Sequence, residues 1–179
     1  MNDMAASADA PAAPASALWL PGTALNCYEG NAGLRSWLMT PGLLTQRIRD
    51  AAGAGFGMQV LGEFAVGTEH VREIRMSRGA DLWLFAQTRV PAATLAAQPW
   101  LARIGATPLG EALAARSGVT RSEFAYSRLY QDAPVVRRAL EVAGLAPQPL
   151  WVRRSVFGVE GSPFELFEVF FPDIGTPEP

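Results

Sequence analysis

Apolar and polar positions change period several times along the chain, and glycine and proline mark the changes. Residues 32–39 read as a short helix. Thr40-Pro41 then sets a capping hydroxyl before a proline at the first helical position, predicting a helix over 42–52. Glycines at 53, 55 and 57 end it. Alternation with a period of two follows over 58–66, 71–77 and 82–90, with Arg78-Gly79-Ala80-Asp81 as a hairpin turn and Pro91 as the stop. Residues 92–104 return to helical spacing, broken at Pro99. Thr107-Pro108 repeats the cap-then-proline signal for a helix to Arg116, with Gly118 beyond it. A strand over 122–130, an amphipathic helix over 134–144 and a hairpin of 150–158 with 164–171 complete the pattern. Strands cluster as hairpins, and helices fall between them without βαβ alternation. The pattern predicts an α+β fold with a single antiparallel sheet of about six strands and helices covering one face.

The Ala/Pro/Ser-rich stretch 1–17 reads as a flexible tail and 18–174 as one domain, with no internal repeat. The tail lacks the basic start and apolar core of a signal peptide. No uninterrupted apolar run reaches the roughly 18 residues of a spanning helix, so no stable membrane insertion is expected.

Composition narrows the chemistry. The chain has 179 residues, 49% of them hydrophobic, so it can bury a core. Its net charge of -2 does not suit a nucleic-acid partner. All 15 basic residues are arginine, which removes Schiff-base and phosphate-loop lysine chemistry. His70 is the one histidine and Cys27 the one cysteine, so a multi-histidine zinc site and an internal disulfide are both excluded. A single free thiol suits a reducing cytoplasm. What remains is Arg, Asp, Glu, hydroxyls and backbone groups, a set matched to an anionic substrate.

Strand alternation singles out two charged residues. Arg72 shares a face with Ile74 and Met76, while Val71, Glu73 and Arg75 form the more solvated face. Glu168 shares a face with Phe164, Leu166 and Phe170, a setting that suits acid–base work. The plainer reading of either is a structural Arg–Glu pair. The two Thr-Pro helix starts offer the Leu44 and Leu109 amides to an anion. The run Gly53-Ala54-Gly55-Phe56-Gly57 follows a helix and precedes a strand, the wrong order for a dinucleotide loop. His70 reads as a surface residue, Ser77 and Ser155 lack a nucleophile-elbow context, and Arg137-Arg138 reads as a solvated helix face. One of Arg153 and Arg154 must point inward.

Several segments, in order, resemble the chorismate lyase (chorismate–pyruvate lyase) family. They are Arg72-Glu73-Ile74, Thr88-Arg89-Val90-Pro91, Gly105-Ala106-Thr107-Pro108-Leu109-Gly110, Arg153-Arg154-Ser155, Gly161-Ser162-Pro163 and Leu166-Phe167-Glu168-Val169-Phe170-Phe171-Pro172. The resemblance spans roughly residues 34–173. It implies helical flaps over a buried ligand, and a cytoplasmic monomer that converts chorismate to 4-hydroxybenzoate and pyruvate, without a cofactor, at the entry to ubiquinone synthesis. By resemblance, Arg72 and the Leu109 amide hold the ring carboxylate, Leu44 offers a second amide, and Glu168 lies near the ring hydroxyl. A Gly-Arg pair of the family is replaced here by Ala86-Gln87, so Arg89 or Arg154 is expected to meet the enolpyruvyl carboxylate. The connection from Val66 to His70 is short, and the stretch 131–149 is long. The competing reading is a non-catalytic aromatic-acid-binding module, an effector sensor or a carrier, on the same fold.

Overall fold

The computed structural model describes residues 18–27 and 31–176; the tail assigned to 1–17 lies outside them. Among these residues eight strands form one antiparallel sheet: β1 Leu20–Pro21, β2 Phe56–Val66, β3 Glu69–Arg78, β4 Asp81–Pro91, β5 Val119–Arg121, β6 Ala125–Leu129, β7 Leu150–Val159 and β8 Ser162–Phe170. Their order is β1-β6-β7-β8-β4-β3-β2, with β5 pairing with β7. The sheet exceeds the expected six by two short strands, β1 of two residues and β5 of three, while the strand expected over 122–130 is β6. β5 and β6 pair with the same edge of β7.

Among the described residues five α-helices pack on this sheet: α1 Ala32–Leu38, α2 Leu44–Ala52, α3 Ala92–Ala97, α4 Leu109–Ala114 and α5 Pro134–Ala143. Alternation assigns the faces. Even positions of β3, β4 and β8 and odd positions of β7 share one face. There Trp37 and Leu38 of α1 and Leu44 and Ile48 of α2 pack on Ile74, Met76, Leu84 and Phe170. Leu109 and Leu113 of α4 pack on Val90, Val159 and Phe164. The reverse face is covered as well: Val135, Val136, Ala139 and Leu140 of α5 lie on Phe85, Val152 and Val169.

That cover corrects the reading of the reverse face as solvated. Val71 and Glu73 are buried, and Glu73 accepts from Gln87 Nε2 at 3.0 Å and from Arg138 Nε at 2.9 Å. Arg138 therefore turns from the expected solvated helix face toward the sheet. Removing a carboxylate from water requires such partners.

The two Thr-Pro helices begin later than expected, at Leu44 and Leu109, with Leu43 and Pro108 as their caps and no side-chain cap on either. Thr40 instead serves the end of α1, donating to the Trp37 carbonyl at 2.8 Å and accepting from Arg47 Nη1. Arg47 of α2 also donates to Ser36 and lies 4.0 Å from the Trp37 ring centroid, so α1 and α2 are tied into one flap. The segment 99–114, containing α4, forms the second flap.

Candidate active site

A cavity of about 70 Å³ lies between the first sheet face and the two flaps. One water needs roughly 15 Å³, so the cavity holds a small molecule's worth of space. The floor is built from two parallel rows of directly paired residues. One row runs Arg153, Glu168, Ala86, Ile74 across β7, β8, β4 and β3. The next runs Ser155, Leu166, Thr88, Arg72 across the same strands. Strands stand about 4.8 Å apart. The backbones of Arg72 and Glu168 are thus separated by two strand spacings and one row, roughly 12 Å, with Thr88 and apolar Ile74, Ala86 and Leu166 between. Ala86 keeps the floor low where a larger side chain would fill it.

Arg72 is 2% exposed. Its Nη2 donates to the Gly105 and Thr107 carbonyls of the second flap at 2.7 and 3.1 Å. Its Nε lies 3.4 Å from Glu63 Oε1. Burial pushes the guanidinium below its usual value, and the Glu63 charge opposes the shift.

At the other end, Glu168 is held by Arg153 through two bonds, Nε to Oε2 at 2.6 Å and Nη2 to Oε1 at 3.0 Å. Arg153 Nη1 donates to the Leu38 and Thr40 carbonyls at 3.1 and 2.9 Å. Each buried arginine of the site is therefore bonded to one flap. Tyr126 is buried beside this pair; burial pushes its phenol up, with Arg153 opposing and Glu168 adding to the shift.

Of the residues singled out from sequence, Arg72, Glu168, Leu44 and Leu109 all line this cavity. Leu44 and Leu109 are the first residues of α2 and α4, so their N–H groups have no acceptor within their own helices. Arg89 and Arg154 do not reach the cavity. Both fall on the reverse face and line a separate cleft with Gln87, Trp19 and Phe167. Arg154 is paired with Glu165, and Arg89 lies 3.7 Å from Glu69. The reason is strand parity: on β7 the inward arginine is Arg153, and on β4 the inward residues are Ala86 and Thr88.

Arg153, Ser155 and Arg121 also line the cavity and are not singled out as site residues by the sequence. Alternation left Arg153 and Arg154 equivalent; only the register against Glu168 separates them. Ser155 was set aside for want of a nucleophile motif, yet it is buried in the floor and its Oγ has no hydrogen-bond partner. Arg121 stands at the rim, donating to the Pro41 carbonyl at 2.9 Å. No periodic signal marks a residue in a three-residue strand.

The model of the family described as chorismate lyase matches residues 13–177. A "probable chorismate pyruvate-lyase" from Thiobacillus denitrificans is 32% identical over 175 residues, covering 89% of this chain and 91% of the relative. A protein of the same name from Azoarcus sp. is 36% identical over 166 residues, covering 81% and 87%. Among solved structures, the PhnF C-terminal domain aligns with a TM-score of 0.47 at 21% identity, over 74% of this chain and 89% of that one.

Proposed function

The chain belongs to the chorismate lyase family, and from that premise we propose that it eliminates pyruvate from chorismate to give 4-hydroxybenzoate. The observation that carries the reading is the two-ended cavity: a buried arginine at one end, a buried carboxylate at the other, and an apolar floor between. A ring with a carboxylate para to a hydroxyl matches that spacing.

Arg72 and the Leu109 amide bind the ring carboxylate, with the Leu44 amide as a second donor. A planar guanidinium suits a carboxylate because two of its N–H groups can align with the two oxygens. Glu168 meets the ring hydroxyl. Arg153 fixes the orientation of Glu168 and neutralises its charge. The carbon–oxygen bond to the enolpyruvyl group breaks, its electron pair leaves with the oxygen, and the adjacent ring carbon gives up its proton. The ring becomes aromatic, and the departing enolate takes a proton at its methylene carbon to become pyruvate. The drive is in the substrate; the protein fixes one conformer and keeps water out. On this reading the enzyme works as a cytoplasmic monomer, needs no cofactor, and supplies ubiquinone synthesis.

The test is to mix purified protein with chorismate, without added metal or cofactor, and quantify both products. Equal amounts of 4-hydroxybenzoate and pyruvate above the spontaneous background are expected. Arg72→Ala should raise the Michaelis constant and lower turnover together; an unchanged Michaelis constant would remove Arg72 from substrate binding. Absence of products alongside a thermal shift with 4-hydroxybenzoate would replace the lyase by a binding module.

A further inference from the structure

On the lyase reading, on which this inference rests, the substrate carries two carboxylates and the product one. The second belongs to the enolpyruvyl group, joined through oxygen to the ring carbon next to the hydroxyl-bearing one. Its ligand must therefore lie toward the Glu168 end, away from Arg72. Three guanidiniums line the cavity: Arg72, Arg153 and Arg121. Arg153 is occupied by Glu168 and by two flap carbonyls. That leaves Arg121.

Arg121 is an exposed cation with no carboxylate in ion-pair range among the described residues. Its guanidinium stacks on the Phe124 ring, 4.3 Å from the centroid, and Arg153 stacks on the same ring at 4.1 Å. One aromatic ring thus separates an uncompensated cation from the arginine that holds Glu168.

A second observation comes from the floor. Arg121 pairs directly with Phe157, and Ser155 is the next residue of β7 on that face. Arg121 and Ser155 are diagonal neighbours across two strands. Ser155 is 1% exposed, and its Oγ meets no protein partner. Buried hydroxyls are seldom left unbonded, so an unpaired one on a residue lining the cavity marks a place for a ligand acceptor.

We infer that Arg121, with the Ser155 hydroxyl, binds the enolpyruvyl carboxylate and thereby distinguishes substrate from product. The guanidinium meets the carboxylate from the rim and the hydroxyl donates to it from the floor. The product lacks this carboxylate and makes neither contact. After the carbon–oxygen bond breaks, the same cation stays beside the departing enolpyruvate.

The experiment compares Arg121→Gln, Arg121→Lys and Ser155→Ala with the wild type. It reads the Michaelis constant for chorismate and the dissociation constant of 4-hydroxybenzoate. Arg121→Gln should raise the first by about tenfold or more, the size expected for a lost charge-assisted contact. The second should stay within about twofold. Arg121→Lys should recover part of the loss, and Ser155→Ala should show the same selectivity at smaller size. Parallel weakening of both ligands would overturn the inference and reduce Arg121 to a strap holding the first flap through Pro41. So would an unchanged Michaelis constant in a wild-type background that makes both products. A wild type that makes no products would instead overturn the lyase reading, and this inference with it.

Discussion

Glu168 and Arg153 form the most consequential pair of side chains in the molecule. Both are almost fully buried, and they share two hydrogen bonds. A buried pair of this kind adds little net stability, but losing one partner strands the other; the cost is typically about 3–5 kcal/mol. Glu168→Gln should therefore lower the unfolding free energy by about 3 kcal/mol in denaturant titrations. Turnover should fall further, by about a hundredfold or more, if the carboxylate assists proton movement. Wild-type turnover in that variant would remove Glu168 from the chemistry. Arg153→Met should be worse for the flap than for the pair, because it also leaves the Leu38 and Thr40 carbonyls without their donor. At this scale the sequence was partly legible. A carboxylate among Phe164, Leu166 and Phe170 is visible from alternation alone. Which of two adjacent arginines answers it depends on a register of one residue, and parity within a single strand does not set that register.

The two flaps meet each other as well as the sheet. Arg49 of α2 reaches Glu111 of α4 at 3.0 Å, both half exposed, an ion pair worth under about 1 kcal/mol. The tighter contact is steric. A Cβ added at Gly110 in α4 would come within 2.7 Å of Leu43 Cδ2, just ahead of α2. Leu43 is flexible and half exposed, so Gly110→Ala should barely change the melting temperature, and the added helix propensity of about 1 kcal/mol offsets part of the strain. Its effect should appear in closure: 4-hydroxybenzoate should dissociate faster by stopped-flow, with little change in melting. An unchanged off-rate would mean that the flaps part without moving past this contact. The Thr-Pro signals located both flap helices but set their starts too early. Thr40 met a stronger demand at the end of α1, and Pro108 became the cap of α4 instead of its first residue. Capping propensities describe one helix at a time; here two helices compete for one hydroxyl.

Across the whole molecule, period and punctuation were enough for the antiparallel sheet and its hairpins. They were not enough for the second helical cover. The clearest example is Glu73, which alternation placed opposite Arg72 and which therefore read as solvated; α5, sixty residues on, buries it and supplies Arg138 as its partner. Long-range cover leaves no local trace in a strand's own residues. The strand order carries a further consequence. β4 lies between β3, its neighbour in sequence, and β8, so residues 84–89 pair with 165–170 across most of the domain. The hairpins β2–β3 and β3–β4 can form early, because short loops close at low entropic cost. Glu168 joins Ala86 only when this long closure is complete. Refolding should therefore show backbone structure by circular dichroism ahead of 4-hydroxybenzoate binding; simultaneous recovery would contradict this. The nascent molecule would hold Arg72 in an ordered meander while still lacking the carboxylate it faces, so competence to bind arrives as a late, all-or-none step of folding.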